Sequence, residues 1–205
     1  MAKALKLSIL PDAQRAVWPL LGEIPGGFVL FGGTALALRL GHRLSEDFDL
    51  FTIERFVPGE VRDRHALLQN GKLLQSGANV LTVLAERPEG SVKISLMGGL
   101  DFVAKATPEQ EAGWPVPIAS INDLAATKFK VLADRAEQKD YVDIHALLEL
   151  GYSVNDLAMQ AARLFGVDFN PWPSVKAMQY FDDGNLAELP TAIKEALRDA
   201  AAKYQ

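Results

Sequence analysis

A pair of glycines, Gly32 and Gly33, stands between the apolar run Phe28-Val29-Leu30-Phe31 and the helically spaced Thr34-Ala35-Leu36-Ala37-Leu38-Arg39-Leu40. This order constrains the fold more than any other feature. The apolar run is short enough for a buried strand, the glycines supply a tight bend, and Gly41 is placed to end the helix. Next, Ser45-Glu46-Asp47-Phe48-Asp49-Leu50-Phe51 alternates acidic with apolar residues, which predicts a half-buried strand over 47–52. Asp47 and Asp49 then share one face, and Phe48 and Leu50 the other. Glycines opening a helix let backbone N–H groups approach a phosphate, and paired carboxylates can chelate a divalent cation. The outline is that of a phosphoryl or nucleotidyl transfer site.

The rest of the first half reads as a small mixed sheet with helices. Helical spacing runs from 11 to 21, and a second helix is predicted from Pro58-Gly59 through Gln69. Strand-like segments at 72–76, 79–86 and 91–97 follow, separated by glycine, proline and asparagine. The stretch 107–117 holds three prolines and a glycine and reads as a connection, which places a first domain at 1–115 and a helical domain at 116–205. In the latter, Ser120-Ile121-Asn122-Asp123 offers a capping-box variant, and no glycine or proline follows before Leu150, which fits one long helix or two abutting ones. Further helices are predicted at 155–165, 174–180 and 191–203. The fold class is α/β (α+β).

Composition narrows the chemistry. With no cysteine there is neither disulfide nor thiolate metal site, and His42, His65 and His145 lack zinc-site spacing, so any metal should be a hard cation held by oxygen. A net charge of −5, from 12 basic and 13 acidic residues up to Pro115 and 9 and 13 after it, gives no basic half for nucleic acid. A local patch of Arg39, His42 and Arg43 could still contact RNA, although a solvated helix end explains the same residues. Neither a signal peptide nor a membrane span is indicated, and the expected location is cytoplasmic.

Transfer of a nucleoside monophosphate from a triphosphate needs two metal ions about 4 Å apart, for which Asp47 and Asp49 would supply bridging oxygens. The helix starting near Thr34 would turn unpaired N–H groups and its positive dipole end to the phosphates. The hydroxyls of Thr34 and Ser45 could add hydrogen bonds, while Ser45 and Glu46 could equally just shape the turn. A second constellation comprises Lys128, Arg135, Lys139, Asp140 and Asp143. On a continuous helix Lys128, Arg135 and Lys139, offset by 7 and 11, fall within about 20° of one line, facing either a triphosphate or solvent.

Together these segments resemble the AbiEii/AbiGii toxin family of the nucleotidyltransferase superfamily, which shares its core with DNA polymerase beta-like enzymes. The first block is Gly32-Gly33-Thr34-Ala35-Leu36 with Ser45-Glu46-Asp47-Phe48-Asp49-Leu50-Phe51. The second, more diagnostic, is Asp123-Leu124-Ala125-Ala126-Thr127-Lys128 with Arg135 and Lys139-Asp140-Tyr141-Val142-Asp143-Ile144. The resemblance implies a nucleotidyltransferase core and a helical C-terminal part. It implies phosphate held by Gly32, Gly33 and Thr34, Mg2+ by Asp47 and Asp49, and the triphosphate of an NTP by Lys128. It further implies Asp140 in the same cleft, Asp143 as proton acceptor, and charge offset by Arg135 or Lys139. Family members are often toxins paired with a winged-helix antitoxin, and some modify the acceptor end of tRNA. Ser95 stands where many superfamily members place a third acid, and a hydroxyl is a poorer magnesium ligand than a carboxylate. That departure keeps open a catalytically degenerate member that binds nucleotide or a partner protein. A metal-dependent phosphodiesterase using the same carboxylates on water is a third reading.

Overall fold

The computed structural model describes residues 4–205, and the chain divides into two compact units, Met1–Ser120 and Ile121–Gln205. The first is built on a five-stranded sheet of order β1-β2-β5-β4-β3, with β1 Val29–Phe31, β2 Asp47–Phe51, β3 Lys72–Gly77, β4 Val80–Arg87 and β5 Gly90–Met97. β2 and β5 run parallel and every other neighbouring pair is antiparallel, so the sheet is mixed, as the α/β reading requires.

The period-2 pattern decides which face is buried. Phe48 and Leu50 of β2, Ile94 and Leu96 of β5 and Val83 of β4 have no solvent exposure. They form the core face, where α1 (Asp12–Val17) packs on β5 and the Trp18 ring lies 6.0 Å from that of Phe48. Truncating any of these side chains to Ala would cost about 2–5 kcal/mol. The opposite face carries Asp47, Asp49, Lys93, Ser95 and Thr82.

α2 (Gly32–Leu40) ends at Gly41, whose φ of 67° supplies the left-handed cap expected of it. The helix predicted through Gln69 is two, α3 (Pro58–Asp63) and α4 (Ala66–Gln69), because His65 between them is extended and buried, with Nε2 3.2 Å from the Leu20 carbonyl. The 107–117 stretch is fastened to the sheet unit. Glu109 and Ile118 pair, Ile118 bridges Leu30, and Arg39 donates to the carbonyls of Ala119 and Ile118 at 2.9 and 3.2 Å and to Glu109 at 2.9 Å. Arg39, with a side chain only 5% exposed, is therefore an internal clasp and does not belong to a surface patch for RNA.

The second unit is helical: α5 (Ile121–Val131), α6 (Gln138–Glu149), α7 (Val154–Phe165), α8 (Trp172–Ala177) and α9 (Thr191–Ala202). α5 packs on α6, α7 and α8, and α6 on α9. The 120–150 region is thus two helices, and Arg135 lies in the link between them. A single charged stripe of Lys128, Arg135 and Lys139 does not exist, because residues 132–137 leave the helical path. Among the described residues no helix is long and apolar enough to cross a membrane.

Candidate active site

In the sheet unit the site is assembled by one bend and two strands. Gly32 has φ of 74°, and a Cβ there would fall on the Asp49 carboxylate. A Cβ on Gly33 would meet the Arg43 guanidinium and, at 3.0 Å, the Ser45 hydroxyl. Only glycine lets the start of α2 approach the acids so closely. The residue preceding α2 is Phe31, whose side chain cannot cap, and its ring stacks on Phe51 at 5.1 Å. The first amides of α2 thus receive no hydrogen bond from the residue that would ordinarily cap them, a setting suited to an anion.

Asp47 and Asp49 are half-buried on the same face of β2. Thr34 is buried and hydrogen-bonds both to the Asp47 carbonyl and, at 2.9 Å, to Ser45 Oγ. A carbonyl only accepts, so the single Thr34 proton goes to Asp47, and the proton shared by the two hydroxyls comes from Ser45. Thr34 therefore ties α2 to β2, and Ser45 is the hydroxyl whose proton can be redirected to a ligand.

Register on the parallel neighbour sets Ser95 opposite Asp49 and Lys93 opposite Asp47. The Lys93 ammonium sits 2.7 Å from Asp47 Oδ2. Sequence reasoning missed Lys93. The alternation of β5 puts it on the face of Ser95, but the pairing with β2 is not visible locally. Among the described residues no group of three or more His, Cys, Asp or Glu is arranged to hold a metal. Asp47 and Asp49 still suit a hard cation, since Mg2+ is commonly held by one or two carboxylates with substrate phosphates completing the shell.

The helical unit gathers its own cluster. Lys128 on α5 reaches Asp140 Oδ1 at 2.9 Å and Asp143 Oδ2 at 2.6 Å, both on α6. Arg135 from the link donates to Asp140 through Nε at 2.8 Å and Nη2 at 3.2 Å. Both aspartates are fully buried and Lys128 nearly so. Burial alone would raise the Asp140 carboxyl, but Lys128 and then Arg135 outweigh it and hold it below the usual carboxylate range. Lys139 points elsewhere and pairs with Glu137 at 3.0 Å. A further buried carboxylate, Asp123, is paired with Arg163 of α7, a partner 40 residues away that no local pattern announces.

A family model for the nucleotidyl transferase AbiEii toxin, type IV toxin–antitoxin system, matches residues 23–205. The chain belongs to that family. It is accordingly a nucleotidyltransferase, with an NTP as its substrate. MenT4, a nucleotidyltransferase toxin of Mycobacterium tuberculosis H37Rv, has a similar fold at TM-score 0.61 and 17% identity, over 100% of this chain and 87% of that one. A candidate nucleotidyltransferase from H. pylori superposes at TM-score 0.54 and 18% identity, over 98% and 93% of the two chains. An uncharacterized protein of Aquifex aeolicus (strain VF5) is 29% identical over 160 residues, 76% of this chain and 74% of its own length.

Proposed function

We propose that this AbiEii-family protein moves a nucleotide from an NTP to a hydroxyl on RNA, with tRNA the leading acceptor, in the cytoplasm and with Mg2+. The observation that carries this is the diglycine bend closed onto Asp49, which puts the open start of α2 beside a pair of carboxylates sharing one strand face. Bound there by Asp47 and Asp49, Mg2+ would supply Lewis acidity to the triphosphate and lower the pKa of the attacking hydroxyl. The amides of α2 and the Ser45 hydroxyl would hold phosphate oxygens, and Arg43 would offset their charge.

The family resemblance assigns Lys128 to the triphosphate and Asp143 to the proton of the attacking hydroxyl. Lys128 could turn the third of its three ammonium donors to a phosphate oxygen while still holding Asp140 and Asp143, whereas Asp143 would have to loosen its 2.6 Å contact with Lys128 to take up a proton. Asp140 and Arg135 would stay paired and keep the unit folded meanwhile. As a toxin, the protein would be controlled by a winged-helix antitoxin.

Incubation with labelled NTPs, Mg2+ and total tRNA tests this reading, with labelling expected from wild type and none from Asp47→Asn. Equal labelling by both proteins would sink it. A non-catalytic nucleotide-binding role is favoured by one observation, the neutral Ser95 opposite Asp49. Tight calorimetric binding of an NTP with Mg2+ and no turnover on any acceptor would support that second reading.

A further inference from the structure

The strand neighbouring the acid pair contributes a cation to its site. Lys93 and Asp47 are Cα partners across the parallel β2–β5 ladder, and the ammonium lies 2.7 Å from Asp47 Oδ2 with the two side chains 40% and 33% exposed. The next position on the same face is Ser95 against Asp49, and beyond it on β4 lies Thr82 against Ser95. Both are neutral and buried. The row that could have gathered a further carboxylate therefore carries hydroxyls, and the row beside it carries a positive charge. Asp47, Asp49 and Lys93 together hold a formal charge of −1, and the Arg43 guanidinium beside Gly33 brings the site still closer to neutrality.

Two divalent ions about 4 Å apart need several carboxylate oxygens to offset their mutual repulsion. Here one oxygen of Asp47 is already engaged by an ammonium, which leaves Asp47 only its other oxygen to share with a metal. A lysine ammonium is a compact charge with three donors on a flexible stem. It can rest on Asp47 and also donate to a phosphate oxygen arriving beside it.

We infer that Lys93 is a resident cation of this site: the protein takes one divalent ion on Asp47 and Asp49, and the Lys93 ammonium replaces the charge of a second. This rests on the transferase reading above. It gives the absent third acid a physical meaning, because a site that carries its own monovalent cation has no use for a carboxylate to hold another metal.

The test counts ions. Full-length protein is dialysed against Mn2+ with a non-hydrolysable NTP analogue, bound Mn2+ per chain is counted, and the electron paramagnetic resonance spectrum is recorded. Wild type is expected to hold one Mn2+ with the six-line spectrum of an isolated ion. Lys93→Met should still hold one, about tenfold more tightly, since a like charge has left its neighbourhood. Lys93→Glu should hold two with a spin-coupled spectrum. A coupled pair in wild type, or unchanged Mn2+ affinity in Lys93→Met, would overturn the inference while leaving the transferase reading intact if labelling of RNA persists. No Mn2+ bound and no labelling by wild type would overturn both. Lys93→Met removes only a half-exposed charge, so it reports even if Lys93→Glu fails to fold.

Discussion

Two sets of aspartates in this chain use the same chemistry to opposite ends. Asp47 and Asp49 stand half-buried on a strand face, against a helix start opened by glycine. Asp140 and Asp143 are fully buried between helices, and their oxygens are engaged by Lys128 and, at Asp140, by Arg135 as well. A carboxylate with water at hand can exchange partners cheaply. One sealed with two cations cannot, because any exchange exposes an unpaired charge to a medium of low polarity. Function thus falls more readily to the first pair, and the second binds α5 to α6 whatever else it does.

The sharpest way to break this contrast is to neutralise one member of each set. Asp47→Asn should abolish labelling of RNA, a loss on the order of 10³-fold for a metal-holding oxygen, with little change in the unfolding midpoint. Asp140→Asn should lower stability by about 3 kcal/mol, read as a shift in the denaturation midpoint of the helical unit. Should the two variants exchange phenotypes, the comparison fails.

Acid sharpens it further. Because the folded Asp140 carboxyl titrates below its unfolded value, its contribution is complete above the ordinary carboxylate range and fades as pH falls through and below it. Wild type should lose stability there more steeply than Asp140→Asn. Gly32→Ala comes next in size. A positive φ of 74° and collision with Asp49 should cost about 1–3 kcal/mol and weaken NTP binding in calorimetry.

Much of the sheet unit was legible because its signals are local. Glycine at 32, 33 and 41 and strict alternation in β2 fix bend, cap and face without help from distant residues. The sequence left one long helix and two abutting ones equally open, and the place of the break between α5 and α6 was not legible, because residues 132–137 hold neither glycine nor proline. What turns the chain there is remote. Asn185 accepts the Gln138 amide at 2.8 Å from 47 residues away, capping α6 in place of a local residue, and Gly184 leaves room for the Ala136 carbonyl. Lys93 escaped for a similar reason, since only strand register sets it on Asp47. Asp47, Asp49 and the glycines declared themselves by pattern, whereas the partners of Lys128 depended on two helices folding back on each other.

The smallest effect is the one that calibrates the others. Ser153 and Asp156 form a full capping box at the start of α7: the Ser153 hydroxyl accepts from the Asp156 amide at 3.1 Å, and Asp156 accepts from the Ser153 amide at 2.8 Å. Hydrogen bonds from Ser153 hold the Asp156 carboxyl below its ordinary range, as Lys128 and Arg135 do for Asp140. Yet this carboxylate lies at the surface on a residue that is only half-buried, and water can replace what the hydroxyl gives. Ser153→Ala should therefore lower stability by about 1 kcal/mol, the usual worth of an N-cap, read as a small shift in the unfolding midpoint. Asp140→Asn in the same unit should cost clearly more. If denaturation gave equal losses for the two, burial would not be what separates the helical cluster from an ordinary surface interaction, and Asp140 and Asp143 would have to be regarded as groups as exchangeable as Asp47 and Asp49.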